Sequence, residues 1–317
     1  MTHSPCRRAC RSPWKPMPLL WIQLVVVGSF CFQACRSLST QPNNNNQEQS
    51  NRRRGFPLRR ITGDGTPYEF PCEEVPFRQE WPDDRWPFSK NDFGRLDYYN
   101  DGIFYFLPRL VYHVDEPAVC ALTQHYRRSI PPNSDLLDIC SSWVSHYPNE
   151  FPETMRSIKA TGMNPLELLC NDQLTDGYVV ADLNGSGITN KPPSDGGNSS
   201  EGTELLQEFE DASVDVITCA LSIDYLINPV QVLRGCYRVL KPGGKVIVSF
   251  SNRCFGLKAI RVWMKNKSKF HLELVNAFFQ YADSNYETKA YDITPIVPDK
   301  KDEYRDPLFV VEATKQK

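Results

Sequence analysis

Asp215-Val216-Ile217-Thr218-Cys219-Ala220-Leu221, a helical pattern over 229–240, then Lys241-Pro242-Gly243-Gly244 and Lys245-Val246-Ile247-Val248-Ser249-Phe250 decide the fold of this chain. The two apolar runs are short and do not alternate with polar residues. That is the pattern of strands buried on both faces, hence of a parallel sheet. Between them Val230, Leu233, Tyr237 and Leu240 recur on one helical face, with Pro229 at the first position. Lys-Pro-Gly-Gly then reverses the chain: Pro presets one corner and Gly takes positive φ at the next. Strand, helix, turn and strand make one βαβ unit, whose crossover is right-handed.

The same alternation extends upstream. Glu116 to Ser129 predicts a helix, with Val119, Leu122 and Tyr126 in register, Asp115 as N-cap and Pro117 in the first turn. Leu136 to Cys140 predicts a strand and Arg156 to Met163 a second. Asn164-Pro165-Leu166-Glu167 predicts a capped helix start, and Tyr178 to Leu183 a third strand. Residues 185–203 are rich in Gly, Ser, Asn and Pro and predict a loose insertion. Downstream, helices are predicted around Leu257–Trp263 and Leu272–Tyr281. The strands Tyr286 to Ile293 and Leu308 to Ala313 follow with no helix between them. The expected architecture is α/β: a doubly wound, mostly parallel, seven-stranded sheet with one antiparallel edge strand.

Three regions are expected. Residues 1–60 hold ten of the 36 Lys and Arg but one of the 38 acids, which leaves 26 bases and 37 acids for 61–317. An acidic body is a poor match to nucleic acid. Pro16 to Cys35 is uncharged and follows Arg7, Arg8, Arg11 and Lys15, a secretory-type signal or a short anchor. The Ser-, Asn- and Arg-rich stretch after it resembles a plastid transit peptide. Together they resemble the bipartite leaders of algae with complex plastids. A chloroplast location is therefore expected, with the secretory pathway or a membrane anchor as alternatives. Residues 61–100 show no period and predict an irregular extension whose Trp81, Trp86, Phe88 and Phe93 anchor it by packing. Residues 101–317 form the expected domain. Cys140, Cys219, Cys236 and Cys254 lack paired spacing, so buried free thiols are expected rather than a zinc site.

In an open sheet of this kind ligands bind beyond the carboxyl ends of the strands, at the switch point. The loops there follow Ile139, Met163, Leu183 and Leu221. Leu240-Lys241-Pro242-Gly243-Gly244 and the strands flanking it resemble class I S-adenosylmethionine-dependent methyltransferases. Asp138-Ile139-Cys140-Ser141-Ser142-Trp143-Val144-Ser145-His146 resembles a plant and algal subgroup with a Ser-Ser-Trp-Val-Ser-His loop, as do Tyr112-His113, Gly162-Met163-Asn164, Asp182-Leu183-Asn184 and Ser222-Ile223-Asp224-Tyr225. The resemblance covers about 100–315. It implies a methyltransferase-type Rossmann-like fold and S-adenosyl-L-methionine as cofactor; with the acidic body and no metal-ligand cluster in the sequence, a small-molecule acceptor is expected, with no metal and no nucleic acid. Membrane association would come through the leader.

One departure matters physically. The family's first loop is rich in glycine, which lets backbone approach the cofactor's amino-acid end. Here Cys140, Ser142 and Val144 occupy those positions, no glycine lies between Asp138 and Gly162, and Pro148 and Pro152 interrupt the following helix. The cradle is then built from hydroxyls and amides of Ser141, Ser142 and Ser145, or is absent. Asn164 stands where a carboxylate meets the ribose diol, or caps its helix. Asp182 stands where an acid accepts from the adenine amine, or caps a loop. Asp138 is placed to orient the first loop, and Leu221 opens the loop after strand four. Trp143 stacks on the cofactor or belongs to the core. His146 is the candidate general base, or a structural histidine. Asp224 and Tyr225 are expected to face the acceptor, or to cap and pack. The rival to an active enzyme is a non-catalytic binding or assembly module of the same fold. A nicotinamide enzyme is disfavoured, because no GxGxxG follows a strand.

Overall fold

The computed structural model describes residues 61–185, 206–298 and 305–317, apart from positions 79 and 84. The leader and nearly all of the expected insertion lie outside them. Residues 58–317 form one compact unit. Eight strands make a single sheet: β1 (Glu73–Glu74), β2 (Asp135–Ile139), β3 (Ser157–Gly162), β4 (Tyr178–Val180), β5 (Val214–Ala220), β6 (Leu240–Ser251), β7 (Tyr286–Asp292) and β8 (Leu308–Lys315). Their order is β1-β7-β8-β6-β5-β2-β3-β4. From β4 to β6 all pairs are parallel. The chain winds outward from β2 in both directions, so the switch point falls between β2 and β5.

Two features depart from the expected sheet. There are eight strands rather than seven, because Glu73 and Glu74 pair with Asp292 and Tyr291. Two strands rather than one also run against the others: β1 at the edge, as expected of an edge strand, and β8 between β6 and β7. A hairpin-like return without a helix puts the last strand inside its predecessor, where its apolar residues Val310, Val311 and Ala313 are fully buried.

The helices are α1 (Asp101–Phe104), α2 (Glu116–Ser129), α3 (Phe151–Thr154), α4 (Pro165–Cys170), α5 (Pro229–Val239), α6 (Arg261–Met264) and α7 (Ser268–Ala282). Alternation along the strands splits the core in two. Leu136, Val216, Ile247 and Val310 face α2. Leu137, Ile217, Val248 and Val311 face α5 and α7. The Asp115 carboxylate accepts from Ala118 N at 3.0 Å and caps α2 as expected, which is typically worth about 1 kcal/mol. The helix after the first loop is the single turn of α3, with Pro152 in its first turn. Lys241-Pro242-Gly243-Gly244 is a bulge inside β6, since Val214 pairs with Leu240 but Val216 with Lys245. Gly243 there has φ 79°.

The irregular extension packs as expected: Trp86 stacks on Phe93 at 5.7 Å and meets Tyr281 of α7 edge-on at 5.1 Å. Cys219 and Cys236 are buried free thiols, and Cys140 and Cys254 are half-buried. Among the described residues no helix is long and apolar enough to cross a membrane, and no group of three metal-ligating side chains gathers.

Candidate active site

A pocket of about 140 Å³ opens at the switch point. The ends of β2, β3, β4 and β5 all contribute, through Asp138 to Trp143, Gly162 to Asn164, Ala181 to Asn184 and Ala220 to Ser222. Of the eleven residues given site roles from the sequence, nine line it: Asp138, Ser141, Ser142, Trp143, His146, Asn164, Asp182, Leu221 and Tyr225. Ser145, fully buried, and Asp224 do not. In the 3-10 turn at Ile223–Tyr225, Tyr225 lines the pocket, while the neighbouring Asp224 is buried, 3% exposed, and is not among the lining residues. The expectation that Asp224 faces an acceptor is corrected on that ground.

The first loop keeps the path of a glycine loop without its glycines. Cys140 has φ 54° and His146 φ 59°, and Leu221 across the pocket has φ 51°. A left-handed L-residue costs roughly 1–2 kcal/mol, and such strain gathers where surrounding structure enforces it. Here Ser141 N donates to Thr161 O and Leu221 N to Ser249 O, both at 2.8 Å. The bare carbon lies on the facing strand instead. A Cβ on Gly162 would stand 2.2 Å from Ser141 O, so only glycine lets the loop lie against β3.

The serine hydroxyls are committed to the protein. Ser141 Oγ donates to Asp138 Oδ2 at 2.6 Å, and Ser142 Oγ to Glu167 Oε2 at 2.7 Å. Ser145 Oγ accepts from Asn171 Nδ2 at 2.9 Å. The amides of Ser141 and Ser145 are spent as well, on Thr161 O and Gln173 Oε1, which leaves the amides of 142–144 for a ligand. Asn164 is similarly engaged: its Oδ1 accepts from Leu166 N and Glu167 N, and its Nδ2 donates to Tyr105 O and Phe106 O. Both amide protons are used, so Asn164 caps α4 and pins the 105–106 backbone. Trp143 is a wall rather than a plug. It is 6% exposed, donates from Nε1 to Val111 O at 3.2 Å and meets Tyr112 edge-on at 5.0 Å.

Burial sets the titration of the site. Desolvation pushes the Asp138 carboxyl up to about 6, against hydrogen bonds from Ser141, Ser145 and Thr218. Desolvation, then the neighbouring His113, pushes His146 down to about 4. His146 is therefore neutral near pH 7, and its buried Nδ1 has no hydrogen-bond partner among the described residues. Asp182 is raised by burial although Asn184 N donates to it. Burial raises the Tyr225 phenol too, and its oxygen accepts from Phe255 N at 2.8 Å.

The remaining wall, residues 101–113 with Phe255, was not legible beforehand apart from Tyr112 and His113. Phe255 touches the rings of Phe104, His113 and Tyr225 at 5.4, 5.1 and 5.9 Å. Arg109 lies with its guanidinium 4.4 Å over Phe104 and donates to Phe104 O. Its buried Nη1 has no hydrogen-bond partner among the described residues, and its backbone N donates to Glu167 Oε1 at 2.6 Å. Asp101 anchors the wall. It takes Arg95 Nη1 at 2.7 Å, the fully buried Lys258 Nζ at 2.9 Å and Asn184 Nδ2 at 3.0 Å. The signal missed was a run, 102–114, without an acidic residue and rich in aromatics.

Fold and pocket together define an α/β domain of the methyltransferase-type, Rossmann-like class. Residues 198–248 match the family described as a methyltransferase domain. That span covers β5, α5 and most of β6, the stretch from which the fold was first read. Over 50 residues the chain is 44% identical to a ubiquinone biosynthesis O-methyltransferase of Pseudomonas putida and 38% to that of Pseudomonas aeruginosa. Each match covers 16% of this chain and about a fifth (22%) of the relative's length. Among solved structures, a Haloferax volcanii methyltransferase in complex with its Trm112 activator aligns over 62% of this chain and 90% of that one, at 15% identity and TM-score 0.42. A Haemonchus contortus phosphoethanolamine N-methyltransferase aligns over 61% of this chain and 51% of that one, at 14% identity and TM-score 0.39.

Proposed function

We propose that this domain binds S-adenosyl-L-methionine at the switch-point pocket and transfers its methyl group to a small-molecule acceptor. The observation that carries the reading is one pocket walled by the carboxyl ends of all four strands around the crossover. The residues fit the group. The loop amides of 142–144 and the unpaired Nη1 of Arg109 suit a carboxylate, and Asp182 suits an amine donor. Leu183, Leu221 and Trp143 supply apolar wall.

When bound, the cofactor supplies an electrophilic methyl on a sulfonium. The chain's own work is to hold, to exclude water and to move one proton. His146 Nδ1, neutral and unpaired, is placed to take the proton an acceptor loses. The Tyr225 hydroxyl accepts from Phe255 N, and burial keeps it protonated. The aromatic wall of Tyr105, Tyr112, Tyr225 and Phe255 favours a flat or apolar acceptor.

The alternative, a binding or assembly module that has lost the cofactor, is favoured by the bulky residues of the first loop and by the saturated amide of Asn164. Calorimetric titration with S-adenosyl-L-methionine and its demethylated product separates the two. Heat from both, abolished by Ser142→Trp, is expected; folded protein giving none at millimolar ligand overturns the enzyme.

A further inference from the structure

Two stretches of the chain, 102–114 and 252–272, contain no Asp or Glu, and between them they carry seven Lys and Arg. The body around them is acidic, with 26 bases to 37 acids over 61–317. The fold brings the two stretches together. Phe255 meets the rings of Phe104 and His113 at 5.4 and 5.1 Å, and Lys258 Nζ lies 5.4 Å over Phe104; residues 94–99, just before the first stretch, are tied in by Asp97 N to Leu257 O, Lys258 Nζ to Tyr99 O and Arg261 N to Gly94 O, at 2.8, 2.8 and 2.9 Å.

Large apolar side chains stand out from this junction. Leu96, Tyr98, Tyr99, Ile103, Phe106 and Leu107 are 53–78% exposed. Leu257 and Met264 join them at 58% and 49%. Singly exposed apolar residues are ordinary, but a contiguous set is not. Lys265, Lys267 and Lys269 follow Met264 directly and are exposed.

We propose that this face docks on an anionic lipid bilayer. Aromatic and aliphatic side chains seat at headgroup depth, and the lysines beside them meet the negative surface. A second copy would set the same positive charge against itself, which argues against self-association here. The segment whose inner side walls the pocket is the one whose outer side meets lipid. If the methyl-transfer reading holds, the acceptor is a molecule dissolved in that bilayer; the docking itself does not rest on that reading.

Hydrogen exchange of the full chain on phosphatidylcholine vesicles, with and without phosphatidylglycerol, tests this peptide by peptide, because binding through the leader would leave these stretches unprotected. Slowed exchange over 94–113 and 253–269 on the anionic vesicles alone is expected. Reversing Lys265, Lys267 and Lys269 to Glu should weaken vesicle binding on the order of 100-fold, and Ile103→Glu with Phe106→Glu should remove the protection. Lys289→Glu, on β7, should leave it. If a variant loses its melting transition, the wild-type exchange map decides. Equal protection on neutral vesicles, protection confined to other segments, or slowing of these stretches by protein concentration alone overturns the proposal.

Discussion

Gly162→Ala is the sharpest test of how the first loop is held. The new methyl would lie 2.2 Å from Ser141 O, 3.1 Å from Ser141 C and 3.2 Å from Leu168 Cδ2. Two of the three are backbone atoms, so no side chain can swing aside. The loop must withdraw by about 1 Å to reach ordinary contact. That stretches the 2.8 Å bond from Ser141 N to Thr161 O, worth about 1 kcal/mol. It also disturbs Ser141 Oγ on Asp138, and overpacking itself costs about 1–3 kcal/mol. A loss of about 2–4 kcal/mol is expected, which for a domain of this size lowers the melting temperature by roughly 5–12 °C. Denaturant unfolding followed by circular dichroism measures it, with ligand calorimetry on the folded fraction. Gly256→Ala is the control: its Cβ meets only Met264 Cε, at 3.4 Å. If Gly162→Ala matches wild type in stability and ligand affinity, the close-approach argument is wrong.

Lys258→Met should cost about 3–5 kcal/mol, because the lysine is fully buried between Asp97 and Asp101 and its removal strips a buried carboxylate of one partner; chemical denaturation reads this directly. Burial pushes the Asp224 carboxyl up to about 8, so ionising it opposes folding as pH rises from the ordinary carboxylate range through 8. Asp224→Asn should therefore be more stable than wild type by a few kcal/mol at pH 9, and the gap should close near pH 4. Glu312 has the opposite sign: despite its burial, hydrogen bonds and charge from His125 and Lys245 hold it down at about 2. Its contribution is present above the ordinary carboxylate value and lost as pH falls through 2, so Glu312→Gln should cost on the order of 2–3 kcal/mol at pH 7 and nothing near pH 2. If transfer activity is found, its pH profile should show no inflection near 6.5 from His146, which burial keeps neutral down to about 4; an inflection there, lost in His146→Gln, would refute that assignment.

The parallel core was legible because strands buried on both faces read as unbroken apolar runs, punctuated by Pro117, Pro165 and Pro229 at helix starts. The pocket followed from where those strands end. The missing glycines were visible too. That Cys140 would adopt the left-handed conformation regardless, with Gly162 supplying the bare carbon from the facing strand, depends on a contact between residues 21 positions apart. Glu73 and Glu74 gave no strand signal, since two exposed acids joining an edge need only backbone. Asp224 and Tyr225 could not be told apart from the sequence, because which of two neighbours in a 3-10 turn lines the pocket depends on the packing around it. The wall at 101–113 has no period: it is held by Asp101 and Asn164, through partners far along the chain.

The Asp101 cluster has a kinetic consequence. Its three donors come from the segment before α1, the loop after β4 and the stretch after β6. Neither Arg95 nor Lys258 can lift alone without leaving charge unmatched away from water, whereas the neutral amide of Asn184 can. Passage into the cavity past this flank therefore requires both cations to part in one event. Exchange through it is expected to be slow, all-or-none and nearly indifferent to added salt, because ions in solution do not screen a cluster from which solvent is shut out.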